Sequence, residues 1–175
     1  GFCKPSACGI FNIPCGETGM PIIPESANGC ISYNLPSFFQ NTLFEGIRLT
    51  LKDGIITEAV SSHQERMDQI LDTDENARRI GEFAMGFNPY ITRPVQDTLF
   101  DEKMAMSMHF TPGNDSIYNP SAIHWDMVTS HDKKMGGGEI YVDGVLIRKD
   151  GLFVLDELKQ LNPDNLKREL EKAAL

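Results

Sequence analysis

The chain has 175 residues, enough for one domain with a proper core, or one domain and a small appendage. Its hydrophobic content of 41% and charged content of 23% are those of a soluble globular protein. Twenty-five acidic against 16 basic residues give a formal net charge of −9, and there is no long basic run, which argues against a nucleic-acid-binding surface. The same excess of acid suits a solvated surface, and it equally suits a cluster of carboxylates that gathers divalent cations. No apolar stretch is long enough to span a bilayer, and no basic-then-apolar leader opens the sequence, so no membrane partner and a cytoplasmic location are expected. The start, Gly1-Phe2-Cys3, lacks an initiator Met and reads as a processing scar or a cut end. The four cysteines, Cys3, Cys8, Cys15 and Cys30, lack the paired C-x2-C spacing of a structural zinc site and are expected to be free thiols.

Residues 1–46 are punctuated by Gly and Pro, with short apolar pieces such as Ile10-Phe11 and Ile22-Ile23 between them. This reads as short strands and loops with little helix. Glu17 follows the turn Pro14-Cys15-Gly16 directly. Asp53-Gly54 divides two alternating runs, Gly46–Lys52 and Ile55–Val60, and predicts a β-hairpin. Ser62-x-x-Glu65 and Asp72-x-x-Glu75 are capping-box patterns that predict two short helices between Ser62 and Ile80. Glu82 then lies in the apolar, small-residue run Gly81–Gly86.

Pro89 and Pro94 mark a loop, and a Met-rich run, Met104–Phe110, carries His109. Ser121–Val128 predicts a strand on which period two puts His124 and Asp126 on one face and Trp125 on the other. Such a pair is half of a metal site; it is also what a buried His–Asp hydrogen bond looks like. Asp143-Gly144 marks a second hairpin, Asp150–Val154 a third short strand, and Asn162–Leu175 a terminal helix with Leu166, Leu170 and Ala174 at intervals of four. The fold class expected is α+β: a mainly antiparallel sheet of hairpins, short helices between strands and a C-terminal helix.

Glu17, Glu82, His109, His124 and Asp126 are polar side chains planted among apolar or small residues. Burying them is costly unless they are paired or bind a metal. Three carboxylates and two imidazoles are the donor types a hydrolytic two-metal site needs. Each residue taken singly also has an ordinary reading, the Glu exposed after a turn and the His satisfied in a core.

The segment Asn12-Ile13-Pro14-Cys15-Gly16-Glu17 resembles the N-x-P-x-G-E of the aminopeptidase T and aminopeptidase S family, thermophilic-type two-metal aminopeptidases. Arg79–Gly86 is similar to its R-x-G-E-x-A-x-G, and Asn119–Asp126 to its N-x-S-x-x-H-W-D. Leu99–Lys103, Met108–Phe110 and the hairpin Ile140–Gly144 follow in the family's order, so the resemblance runs from about Gly9 to Phe153. It implies a catalytic domain over 1–153 with a helical tail over 154–175. It also implies two divalent metal ions (zinc, cobalt or manganese) on Glu17, Glu82, His109, His124 and Asp126, and removal of the N-terminal residue from a peptide substrate. Lys103 is implied as a residue orienting ligands or substrate, with a simple salt bridge to Asp101 or Glu102 as the alternative.

Two departures stand out. The family carries a Tyr seven residues after the position of His109; here that residue is Ser116, and the nearest tyrosine is Tyr118, which would have to reach from a displaced register to stabilise a tetrahedral intermediate, or the role is vacant. The family also carries an α/β domain ahead of this region, which the present sequence lacks. The chain is therefore expected to be a metallo-aminopeptidase or its catalytic region, with a homodimer as an open expectation. The alternative is a non-catalytic metal-binding homologue acting as a dimerisation or peptide-binding module.

Overall fold

The computed structural model describes residues 12–115 and 117–173. Cys3, Cys8, the piece Ile10-Phe11, Ser116 and Ala174 lie outside the described residues. In chain order the strands are β1 (Glu17–Pro21), β2 (Gly29–Ser32), β3 (Ser37–Phe39), β4 (Thr42–Phe44), β5 (Arg48–Lys52) and β6 (Ile55–Val60), followed by helix α1 (Gln64–Leu71). Then come β7 (Ile80–Gly86), the one-turn helix α2 (Thr98–Asp101), β8 (Ser107–Pro112), β9 (Met127–Ser130), β10 (Glu139–Val142), β11 (Val145–Lys149), β12 (Leu152–Phe153) and helix α3 (Pro163–Ala173). All strand pairings are antiparallel. They form a four-stranded sheet in the order β1-β7-β8-β9, two three-stranded sheets, β2-β5-β6 and β10-β11-β12, and the pair β3-β4. This is the α+β class the residue pattern predicts.

Both Asp-Gly hairpins form as expected, and the reason is local. Asp53 and Gly54, like Asp143 and Gly144, all take positive φ, the twist that a two-residue loop needs to match its strands. The terminal helix starts on Pro163, and the short strand β12 pairs with β11. Leu158, Leu161 and Leu166 pack against the cluster of Met85, Phe87, Met108, Ile140 and Phe153, so the tail lies on the body of the fold.

The helices between Ser62 and Ile80 differ from expectation. One forms, with Met67, Ile70 and Leu71 buried, but its N-cap is His63 and makes no side-chain capping bond. The Ser62 hydroxyl is engaged elsewhere, by the Glu45 amide at 3.0 Å. Residues 72–78 are turns and bends rather than a second helix, and Arg79 bridges to Ile55. Asp74 organises them: it accepts from the Asn76 amide at 2.9 Å, and from the Ser121 hydroxyl and Ala122 amide at 2.9 and 2.7 Å. An aspartate that bonds nearby amides offers the backbone an alternative to the helix, and a five-residue helix is too short to resist.

Trp125 anchors the larger core. It is fully buried, stacks on Phe39 with centroids 4.8 Å apart, meets Phe44 at 4.7 Å, and donates its indole N–H to the Ser37 hydroxyl at 2.8 Å. Leu49, Ile56, Ile70 and Met127 close around it. A buried aromatic of this size stabilises a fold by several kcal/mol, on the order of 3–5 when truncated to Ala. Its anchoring also fixes which way its two neighbours, His124 and Asp126, point.

Candidate metal centre

The register of the four-stranded sheet brings all five sequence-predicted ligands to one face. Opposed residues on antiparallel strands point the same way, and the direction alternates along each strand. Gly19 opposes Ala84, Ala84 opposes His109, and His109 opposes Val128. One step along, Pro21 opposes Glu82 and Glu82 opposes Thr111; at the other end Glu17 opposes Gly86. Strand β9 begins at Met127, later than predicted, because a loop lies between β8 and His124. The segment before it still runs extended, with the Trp125 amide on the Pro112 carbonyl at 3.2 Å and a bridge between His124 and Gly113. Asp126 and His124 therefore continue the face of Val128 in steps of two.

Asp126 is the centre of the contacts. Its Oδ1 accepts from the Thr111 hydroxyl at 2.5 Å and lies 3.2 Å from His124 Nε2 and 3.9 Å from His109 Nε2. His124 Nδ1 is 2.7 Å from the Asn114 carbonyl, which gives Nδ1 the proton and turns Nε2 toward the carboxylate. The hydrogen bond to Asp126 raises the His124 pKa to about 9 against the cost of burial. Burial opposes ionisation of Asp126, but the hydrogen bond from His124 and the charges of both imidazoles hold its pKa below the usual carboxylate range.

Glu17 stands on the far side of His109, with Oε2 at 3.9 Å from His109 Nε2. That oxygen is buried and has no hydrogen-bond partner, as is His109 Nδ1. Glu82 lies over Gly19, where a Cβ would meet its Oε1 and come within 2.9 Å of Ala84 Cβ. The small residues Gly19 and Ala84 are thus what leaves this carboxylate its space.

Lys103 is fully buried, and its ammonium reaches Oε1 of Glu17 at 3.2 Å as well as the carboxylate of its neighbour Glu102. Of the two salt-bridge partners foreseen, Glu102 is one and Asp101 is not: the Asp101 carboxylate accepts the Val95 and Gln96 amides at 2.7 and 3.0 Å. Burial pushes the Glu102 pKa upward, and the negative charges of Asp126 and Glu17 add to it. Tyr118 is 47% exposed and its amide binds Asp115 Oδ1 at 2.6 Å.

Glu102 and Thr111 belong to this centre although the residue pattern did not single them out as site residues. Three consecutive charges, Asp101-Glu102-Lys103, ordinarily mark a solvated turn; here all three are 6% exposed or less. Their place just before a Met-rich buried run was the available signal. The reverse face of the sheet, carrying Met20, Phe83, Met108 and Phe110, borders an apolar groove of about 790 Å³ that does not reach the carboxylates.

As the side chains stand, no group of three or more His, Cys, Asp or Glu among the described residues closes to metal-holding distance. The donors nevertheless fit a divalent ion in chemistry and nearly in spacing. Two ligands on one tetrahedral zinc lie about 3.3 Å apart, against 3.2 to 3.9 Å among Glu17, His109, Asp126 and His124. The unpartnered Glu17 Oε2 is an orphaned acceptor of the kind a cation would satisfy.

Residues 6–153 match the family model for thermophilic metalloproteases (M29). The chain is 29% identical over 162 residues to aminopeptidase T of Thermus aquaticus, covering 82% of this chain and 38% of that protein. It is 30% identical over 153 residues to aminopeptidase T of Thermus thermophilus, covering 76% and 37%. The solved wild-type AmpT from Thermus thermophilus superposes with a TM-score of 0.69 at 27% identity, over 82% of this chain and 41% of that one. A 2,5-dihydroxypyridine dioxygenase from Pseudomonas putida superposes with a TM-score of 0.61 at 15% identity, over 81% and 44%, a likeness of fold alone. The chain thus spans 37–38% of the length of the curated relatives it matches. With its matched segment covering most of its length and its carboxylates and imidazoles gathered on one sheet face, the chain belongs to the thermophilic metalloprotease (M29) family.

Proposed function

We propose that the chain is the metal-binding catalytic region of an aminopeptidase, with Glu17, Glu82, His109, His124 and Asp126 holding two divalent ions. The observation that carries this reading is the shared face: four separate chain segments deliver five donors to one side of one sheet, and an acceptor among them is buried without a partner. When bound, the ions would activate water and polarise the scissile carbonyl.

The chain's own residues supply the rest. Thr111 and the two imidazoles hold the Asp126 carboxylate ionised. The Asn114 carbonyl keeps the proton on His124 Nδ1, so that once Nε2 gives up its own proton it is the nitrogen left to bind an ion. Lys103 engages one oxygen of Glu17 and leaves the other turned toward His109. The substrate class is peptides with a free N-terminus, on the names of the relatives. Zinc, cobalt or manganese are the ions in question, a cytoplasmic homodimer is part of the same proposal, and residues 1–153 are its catalytic unit with 154–175 as the tail. No described helix is long and apolar enough to cross a membrane.

A second reading is favoured by Tyr118, exposed on its loop two residues past the family's position: a homologue that binds metal and peptide without turnover. Hydrolysis of leucyl-p-nitroanilide after loading with zinc, cobalt or manganese separates the two. The first reading expects turnover that is lost in His124→Ala and Glu82→Ala with the fold intact. Metal bound at full occupancy without turnover selects the second, and no metal bound after loading defeats both.

A further inference from the structure

The sheet face turned away from the candidate ligands carries the row Met20, Phe83 and Phe110, which floors the apolar groove of about 790 Å³. Two strand edges border this groove, β2 of one three-stranded sheet and β10 of the other, each the outermost strand of its sheet. The Tyr33 amide on the Ile47 carbonyl at 2.9 Å continues the β2-β5 ladder, which makes Ile31 and Leu49 a bonded pair. The N–H and C=O of Cys30, between them, therefore turn away from β5. The Asp150 amide on the Gly138 carbonyl at 2.7 Å sets the same alternation in β10, where Glu139 and Tyr141 turn their main-chain groups away from β11. None of these groups has a hydrogen-bond partner among the described residues. Neither strand carries the Pro or Lys that commonly guards a free edge.

We propose that this groove is a docking site for an extended segment of a partner polypeptide, with apolar residues at every second position and basic residues flanking them. Open main-chain donors and acceptors on both bordering strands select a strand, because a helix satisfies its own main chain internally. The alternation follows from the floor: a strand laid over Met20, Phe83 and Phe110 turns every second side chain onto them. Each bordering strand has 4 residues, a length of about 13 Å, which holds about four or five residues of a partner. Charge selects the flanks. The charged side chains that line the groove are Glu139 and Asp143, both acidic. Glu139 shares its charge with Lys149 at 2.9 Å, whereas Asp143 has no ion-pair partner among the described residues. A second copy of the chain would bring a net charge of −9 to the same place, which disfavours it as the occupant. The groove lies on the reverse of the metal face, so the inference stands apart from the metal-binding reading.

The test is fluorescence anisotropy with a labelled peptide, Lys-Val-Thr-Val-Thr-Val-Lys, acetylated so that it has no free N-terminus to offer an aminopeptidase site. Saturable binding is expected, unchanged by added zinc or by a chelator. A peptide with Pro for the central Val, or with Glu for both Lys, should bind at least about tenfold more weakly. Cys30→Pro removes one outward amide from β2 and should weaken the parent peptide by about 3- to 10-fold. Cys30→Ser keeps that amide and should bind as the wild type does. Asp143→Asn retains a residue suited to the positive φ of its turn but loses the charge, so the advantage of the Lys peptide over the Glu peptide should narrow. If Cys30→Pro fails to fold, the Pro peptide and Asp143→Asn decide. Absence of saturable binding, equal binding of the Pro peptide, preference for the Glu peptide, or binding abolished by the chelator would each overturn the inference. So would a dimer in sedimentation that dissociates in Cys30→Pro, which would assign the groove to a second copy.

Discussion

Lys103 Nζ lies 3.2 Å from Oε1 of Glu17, while the other oxygen of that carboxylate is buried without a partner and faces His109 Nε2 at 3.9 Å. One carboxylate is thus divided between a protein cation and an open side. The asymmetry has consequences for stability as well as for metal binding.

Replacing Lys103 by Met leaves the buried Glu102 and the half-buried Glu17 without their counter-charge. The metal-free variant should lose about 3 kcal/mol of unfolding free energy, the usual cost of breaking a buried pair by removing one partner. Zinc should return part of that loss, because a ligand bound only to the folded state raises its stability. Urea denaturation with and without zinc reads both effects.

Gly19→Ala should weaken metal binding more than it weakens the fold. The added methyl would meet Glu82 Oε1, the movable end of a side chain, and press on Ala84 Cβ at 2.9 Å. The carboxylate swings away while the strand pairing persists. Comparing the thermal midpoint with the zinc stoichiometry distinguishes the two, and an unchanged stoichiometry would show that Glu82 does not need this space.

Arg148 fastens the β10-β11-β12 sheet to the edge of the metal centre. It is 1% exposed and donates to the carbonyls of Ser107, Gly86 and Gly151 at 2.6, 2.9 and 2.8 Å, with its guanidinium over the Phe153 ring. Arg148→Ala strands three buried carbonyls and should cost roughly 3–5 kcal/mol, at about 1–3 for each unsatisfied group less the relaxation that water entry allows. Chemical denaturation of the metal-free protein checks it.

His131 provides a pH test away from the ligands. Burial, helped by the charge of Arg148, lowers its pKa from the ordinary value. As the pH falls below about 6.5, the unfolded chain takes up a proton that the folded chain declines, so stability falls with pH between that value and the lowered folded one. His131→Gln has no such proton site. Its midpoint should drop less than that of the wild type between about pH 7.5 and about pH 5.5, in differential scanning fluorimetry.

The parts of the fold legible in the residue pattern were those specified locally. Asp53-Gly54 and Asp143-Gly144 dictate their turns by backbone conformation alone, and Pro163 opens the terminal helix. The spacing of His124 and Asp126 about Trp125 held because an anchored indole fixes the alternation, although the regular strand starts only at Met127. Residues 72–79 misled because Asp74 bonds to Ser121 and Ala122, 47 and 48 residues away, which no local capping pattern contains. Glu102 reads from the residues only as a partner for Lys103, for the same reason. Its backbone packs on Gly86 of β7, and apart from the Met-rich run that follows, a run of three charges carries no trace of that burial.

The central claim is that this sheet face is a divalent-metal site, and cobalt titration of the metal-stripped protein tests it most directly. The expected result is two equivalents taken up with visible absorbance bands, and loss of at least one equivalent in His109→Ala with the fold retained. A protein that stays colourless and retains no stoichiometric ion after loading would contradict it.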